Sequence, residues 1–244
     1  MTQIIYPEDK NNGIDIHFLE EAIYMKKIGF HTGSKINYKT DLILLRGLPI
    51  RRKNNYPFNE KLINDWENNK NTLFMDKFYP IIEKRSIPTI FIDELNEKII
   101  RNISLEKKWH RIFIKNNSRS LFAFGEFASI WPDTSIIDMK SQYAKWKLKG
   151  PFAIRKFIDD PEIFYNEQRY WILNGNAYHP SGEIPDFVME YGKKMYEFSG
   201  SHYFTMDVAG DYIVEVNPGE SSDRGGDNPL DWFCEIFAKE FLHK

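Results

Sequence analysis

The sequence predicts a mixed chain, an N-terminal α/β region followed by an α+β region rich in antiparallel strands. Three observations carry that prediction. Short apolar runs alternate with helix-spaced segments over the first part of the chain. After about residue 100 the strands lie closer together, and two pairs are joined by tight-turn sequences, Asn174-Gly175 and Gly210-Asp211. The last segment is an amphipathic helix with Pro229 at its first turn and Leu230, Phe233, Ile236, Phe237 and Phe241 on one side. The expected domains are residues 1–100 and 101–244.

In chain order, Ile4–Tyr6 is a short apolar run. A helix follows, with Asp15 as N-cap, Phe18, Leu19, Ala22 and Ile23 at core spacing, and Gly29 as its stop. Leu42–Leu45 is an unbroken apolar run of the kind found in buried parallel strands. Residues 61–69 and 78–84 read as helical, and Thr89–Asp93 as another strand of the α/β layer. Beyond residue 100, 111–115 and 152–158 read as strands and 137–149 as a helix. Arg169–Leu173 and Ala177–His179 form a hairpin through Asn174-Gly175, and 185–198 is helical.

Composition excludes several classes. With 42% hydrophobic and 16% aromatic residues the 244-residue chain holds enough apolar material for a real core, so it is not a disordered protein. A formal net charge of -2 demands neither nucleic acid nor an anionic membrane as partner. The single cysteine, Cys234, rules out an intrachain disulfide and a cysteine-cluster zinc site, and a reducing, cytoplasmic setting is expected. No stretch approaches the ~20 apolar residues that span a bilayer, and the start has no basic region leading into a long apolar run. Trp131, Trp146, Trp171 and Trp232 read as core or domain contacts, Cys234 as a small core residue, and His110, His179 and His202 as ordinary polar positions.

The chemistry concentrates near the end. Met206-Asp207-Val208 and Ile213–Pro218 read as two strands about a tight turn. Glu215 and Asn217 project to one face because strand side chains alternate, and Asp207 joins them if the strands pair. Three hard oxygen donors suit Mg²⁺, which is usually held by one or two carboxylates together with substrate phosphates. Upstream, Lys115 ends a strand and can reach a phosphate as a compact charge. The strand Ala153–Ile158 leads into a linker, and its backbone at Phe157 and Ile158 can read an adenine edge. Glu167 can accept from ribose hydroxyls and Arg169 can bind phosphate. Of the adjacent Arg155 and Lys156, alternation points one inward and one outward, and the sequence leaves open which.

Taken in order, the lysine strand, the hinge strand, Glu167 with Arg169, Asp207, and Glu215-Val216-Asn217 resemble the ATP-grasp superfamily from about residue 105 onward. The resemblance implies an α/β pre-grasp domain followed by an ATP-grasp fold whose antiparallel sheets clasp the nucleotide. It implies a nucleotide-binding part over about 105–158 and a metal and catalytic part over about 161–244. ATP and Mg²⁺ are the implied cofactors: Asp207, Glu215 and Asn217 hold the metal, while Lys115, Arg169 and one of Arg155 or Lys156 hold phosphates. The implied activity is ATP-dependent carboxylate–amine ligation through an acylphosphate, on a small molecule or peptide with a carboxylate and an amine acceptor. The Arg155-Lys156 pair resembles a divergent clade associated with peptide or amino-acid ligation.

Two departures stand out. The loop after Lys115 carries one glycine, Gly125, so phosphate covering falls to other backbone amides or to Arg119. The hinge has a basic pair where many members have a carboxylate or glutamine. They leave a second reading, a degenerate nucleotide-binding module without turnover, and a third, a metal-dependent hydrolase that gives Lys115 and Arg169 no work. Finally, Pro218–Gly226 reads as a flexible polar loop in which Arg224 can hold the moving phosphoryl group or a substrate carboxylate. Arg46, at the C-terminal end of a parallel strand, is the second substrate-side candidate.

Overall fold

The computed structural model describes residues 1–37, 39–50, 56, 57, 59–94, 96–118, 129, 130, 150–158, 160, 166–225 and 228–242. The helix expected over 137–149, the phosphate-covering Arg119, Trp131 and Trp146 lie outside these residues. The chain divides into two compact units, one built from Met1–Leu73, Glu167–Val208 and Ile213–Lys244, the other from Phe74–Asn166 with Ala209–Tyr212.

The first unit opens on β1 (Thr2–Ile5), which pairs in parallel with β2 (His31–Gly33) on one side and β3 (Leu42–Leu45) on the other. Helix α1 (Ile16–Lys27) crosses between β1 and β2, as a parallel pair requires. Its N-cap is Asp15, whose carboxylate accepts from the His17 N–H at 2.9 Å. The buried stripe is Phe18, Ala22 and Met25. Leu19 and Ile23, expected in the core, are 39% and 62% exposed. They sit one position round from that stripe, and an apolar run too wide for one face leaves its edge outside.

The same unit holds an antiparallel sheet in the order β11 (Tyr212–Pro218), β10 (Tyr203–Ala209), β8 (Gln168–Leu173), β9 (Asn176–Tyr178). Asn174 and Gly175 turn β8 into β9 with φ of 50° and 83°, the paired positive angles a two-residue hairpin needs. The C-terminal helix, Leu230–Phe241, joins the two sheets into one core. Its Phe233, Cys234, Phe237 and Phe241 pack with Ile4, Tyr6 and Leu44 from the parallel sheet and with Trp171, Leu173 and Tyr203 from the antiparallel one. Tyr203 also bridges the sheets directly: its hydroxyl accepts from Leu45 N–H at 3.0 Å and donates to Leu45 O at 3.1 Å.

Trp66–Leu73 forms α2, starting later than the expected 61, with a 3₁₀ turn over Asn59–Lys61 before it. The second unit begins with α3 (Met75–Ile82) and contains β4 (Thr89–Ile92), α4 (Glu97–Lys107), β5 (Ile112–Asn116), β6 (Ser129–Ile130) and β7 (Phe152–Lys156). Its sheet runs β4-β7-β5-β6, with antiparallel neighbours throughout. The strand at Thr89 thus differs from its expected place in the N-terminal layer. It pairs with β7, more than fifty residues on, and carries 74–107 into the second unit with it. The reason is physical: an apolar run shows a buried strand but not which strand it pairs with.

Candidate functional site

Within the first unit, the β8–β10 register sets Arg169 opposite Asp207. Opposed residues of an antiparallel pair share a face, so the two side chains meet. Arg169 Nε donates to Asp207 Oδ1 at 2.7 Å and Nη2 to Oδ2 at 2.8 Å, a bidentate fork. Its third nitrogen, Nη1, donates to Asp223. Burial works against the Arg169 charge, yet the pairing with Asp207 prevails and raises its pKa. Asp207 is itself raised, first by burial, which Arg169 opposes and the negative charges of Glu215 and Asp223 reinforce.

Asn217 Nδ2 donates to Asp207 Oδ2 at 3.2 Å, which turns its amide oxygen away from that contact. The donor set formed by Asp207, Glu215 and Asn217 is two carboxylates and one amide oxygen. That set fits a hard divalent cation that takes its remaining ligands from phosphates. Among the described residues no group of three or more His, Cys, Asp or Glu could hold a metal. Both oxygens of Asp207 are already engaged by Arg169, so a cation there shares or displaces the fork.

A cavity of about 390 Å³ opens beside the pair, lined by Glu167, Gln168, Arg169, His179, Asp207, Asp223, Gly225 and Asn228. It gathers three of the expected residues, Glu167, Arg169 and Asp207. It also includes His179, which sequence reasoning set aside because it has no metal-ligand spacing. The ring lies 4.9 Å from that of Tyr170. Nδ1 accepts from the Ser181 N–H at 3.3 Å and lies 2.8 Å from its hydroxyl, so the neutral ring carries its proton on Nε2. Burial lowers its pKa, which keeps the ring neutral at pH 7.

The loop after β11, read as flexible, is pegged at several of its described residues. Ser222 Oγ donates to Pro218 O at 2.8 Å, and Trp171 Nε1 and Asn228 Nδ2 both donate to Arg224 O, at 3.1 and 2.9 Å. Gly219 passes so close to β10 that a Cβ there would lie 2.3 Å from Tyr203 Cδ2 and 2.7 Å from its carbonyl oxygen. A loop rich in Gly and Ser is flexible only where nothing binds its backbone. Arg224 is half-buried, and its side chain is not among those lining the cavity.

Arg46 differs most from expectation. It is 1% exposed, and its guanidinium carbon lies 5.2 and 4.8 Å from the rings of Trp171 and Phe233, which also touch each other. Nε and Nη2 bind the two oxygens of Glu21 at 3.0 and 3.2 Å, and Nη1 donates to Gly219 O at 3.0 Å and Ser222 O at 2.8 Å. A guanidinium so engaged has no fork left for a substrate carboxylate, so it is not a substrate-binding group. The buried acid Glu220 was also missed. It is 0% exposed, and among the described residues neither carboxyl oxygen has a hydrogen-bond partner. The polar groups beside it are spent elsewhere, Asn64 Nδ2 on Ser201 Oγ and Tyr203 O, and the Tyr203 hydroxyl on Leu45. Burial pushes its carboxyl up to about 7.

In the second unit, register settles which of the two basic residues shares a face with Lys115. Phe91, Ala153 and Lys115 stand in one cross-strand row and Thr89, Arg155 and Phe113 in the next on the same face. The opposite face carries Ile90, Ile154 and Ile114, which pack with Ile100 and Trp109. Arg155 is therefore on the Lys115 side and buried, its Nε donating to Thr89 Oγ1 at 3.2 Å. Lys156 falls on the other side and is exposed. Of the expected hinge amides, the Phe157 N–H is already donated to Arg111 O at 3.0 Å, so it is not available to an adenine edge. Ile158 is half-buried.

This assembly is the ATP-grasp fold. It matches D-cycloserine synthetase DcsG with a TM-score of 0.65 at 9% identity over 98% of this chain and 99% of the other. It matches D-alanine–D-alanine ligase from Bacillus anthracis with a TM-score of 0.60 at 13% identity, over 99% and 97%. It also matches the ATP-grasp ligase PsnB complexed with a minimal precursor, Mg and ADP, with a TM-score of 0.59 at 10% identity, over 98% and 97%. No family model matches the sequence, and no curated protein does. No helix among the described residues is long and apolar enough to cross a membrane.

Proposed function

We propose that the chain is an ATP-dependent carboxylate–amine ligase using ATP and Mg²⁺. The observation that carries this reading is the meeting of Arg169, Asp207 and Asn217, with Glu215 acting on the first two, on a fold it has in common with three ligases. Asp207, Glu215 and Asn217 hold the metal, which when bound neutralises phosphate charge. Lys115 and Arg155 hold phosphates from one sheet face, and Arg169 steadies the phosphoryl group as it passes to the substrate carboxylate. An amine then attacks the acylphosphate, forming the amide and releasing phosphate, with ADP as the other product. Catalysis of this kind is positioning and electrostatic stabilisation, so no nucleophilic side chain is required. Glu167 accepts from the ribose, Ile158 borders the base, and Arg224 serves the substrate side. The parallel sheet β2-β1-β3 is the counterpart of the pre-grasp domain.

The test is ADP release by purified protein given Mg²⁺-ATP and a panel of amino acids and peptides. Glu215→Ala loses turnover while its circular dichroism spectrum is unchanged, and full activity in that variant refutes the site. The grip of Arg169 on both oxygens of Asp207 favours one alternative, a nucleotide-binding module without turnover. Calorimetric binding of Mg²⁺-ATP with no ADP formed across the panel would establish it.

A further inference from the structure

We propose that Arg46 is a positioning residue that fixes the loop Gly219–Ser222 and, through it, the place of Arg169 at Asp207. Its contacts divide by nitrogen atom. Nε and Nη2 meet the Glu21 carboxylate, while Nη1 alone bridges Gly219 O and Ser222 O at 3.0 and 2.8 Å. Binding two carbonyls three residues apart to one donor nitrogen fixes the curvature of the loop between them.

A purely structural need would not select this arrangement. Replacing a buried ion pair with apolar residues of similar volume is often neutral or stabilising. The surroundings, the rings of Trp171 and Phe233, suit an apolar residue well. What an apolar side chain cannot do is donate to the two loop carbonyls. Glu21 supplies the charge that lets a guanidinium sit there.

From the clamped carbonyls the path to the candidate site is short. Ser222 is also held by its own Oγ, which donates to Pro218 O at 2.8 Å and lies 3.1 Å from Thr205 Oγ1 on β10. The next residue, Asp223, takes Nη1 of Arg169 and accepts from the Gly225 N–H at 3.0 Å. Arg169 is thereby shared between two carboxylates, and its hold on Asp207 depends on where the loop places Asp223. Freed from Arg46, the loop withdraws Asp223, and Arg169 closes on Asp207 alone.

The inference rests on the ligase reading only for its effect on Mg²⁺-ADP binding. The test compares the wild type, Glu21→Gln, the double variant Glu21→Gln/Arg46→Met, and Arg46→Lys, which keeps the charge against Glu21 but loses the fork. Each is measured by thermal melting, by hydrogen exchange of amides 219–225, and by calorimetric affinity for Mg²⁺-ADP. The double variant, which leaves neither charge of the Arg46–Glu21 pair unpartnered, is expected to melt cooperatively. Its loop amides exchange about tenfold faster or more, as the loss of two charge-assisted bonds requires, and its Mg²⁺-ADP affinity falls by about the same factor. Glu21→Gln leaves the Arg46 charge without its carboxylate and so melts below the wild type, but it keeps the Nη1 donor, and its loop amides exchange more slowly than those of the double variant. Should the double variant fail to fold, Arg46→Lys carries the same expectation. Native loop exchange in a folded variant lacking the fork overturns the proposal, as does a freed loop with unchanged Mg²⁺-ADP affinity. If the wild type binds no Mg²⁺-ADP, the ligase reading falls, and loop exchange alone decides whether Arg46 positions the loop.

Discussion

Arg169 grips Asp207 with both arms of its guanidinium, Nε to Oδ1 at 2.7 Å and Nη2 to Oδ2 at 2.8 Å, and Asp207 is only 2% exposed. Removing the arginine leaves a buried carboxylate without its partner, which costs about 3–5 kcal/mol. Arg169→Ala therefore melts well below the wild type in a chelating buffer. Added Mg²⁺ recovers part of the loss if Asp207 is a metal ligand. A melting temperature indifferent to Mg²⁺ would count against Asp207 as that ligand.

The sheet face that carries Lys115 and Arg155, with Lys156 turned away, predicts unequal effects on nucleotide affinity. Lys115→Ala weakens Mg²⁺-ATP binding by about tenfold or more, equivalent to about 1.4 kcal/mol. Lys156→Ala leaves it near the wild-type value. Calorimetric titration of both variants distinguishes the faces, and equal losses would show that the register does not govern binding.

Glu220 links stability to pH. Burial raises its carboxyl from 4.5 to about 7 in the folded chain, so the folded state prefers the neutral acid. The resulting cost to stability is absent below the unfolded value, grows as pH rises toward about 7, and is complete above it. Glu220→Gln is thus expected to melt higher than the wild type at pH 8, by on the order of 3 kcal/mol at most. That advantage shrinks as pH falls toward 5. A gap constant with pH would mean that Glu220 is not the titrating group.

Cys234 is 0% exposed, and burial pushes its thiol up to about 12. Because the thiolate is the reactive form, Ellman's reagent should leave the native protein unlabelled and label one thiol in denaturant. Rapid labelling under native conditions would show that the C-terminal helix opens locally.

Patterns confined to neighbouring residues were legible in the sequence. Asn174-Gly175 marks its hairpin, Asp15 marks its cap, and the spacing of Phe233, Phe237 and Phe241 marks the helix that closes the core. The grouping of Asp207 with Asn217 followed from strand alternation and the intervening turn. Pairings across long stretches of chain were not legible. Nothing local tells that Thr89 pairs with Arg155, that Arg46 is claimed by Glu21 and two distant carbonyls, or that His179 lines the cavity of Arg169. Glu220 shows the same limit, since a glutamate in a Gly-Ser loop carries no mark of burial until strands from elsewhere close over it.

The three-part composition of the first unit constrains how the protein is made. Its N-terminal sheet shares a core with Phe233, Phe237 and Phe241, and Thr2 Oγ1 donates to Phe241 O at 3.1 Å. On the ribosome, β1 emerges with its early partners α1, β2 and β3 well before the helix Leu230–Phe241 that completes their core. The second core, Ile100, Trp109, Ile112, Ile114, Phe152 and Ile154, draws only on residues between 74 and 166 and can form meanwhile. Until then the early segment waits with the side of Ile4, Tyr6 and Leu44 that meets Phe233, Phe237 and Phe241 uncovered, the interval in which a chaperone has most to protect.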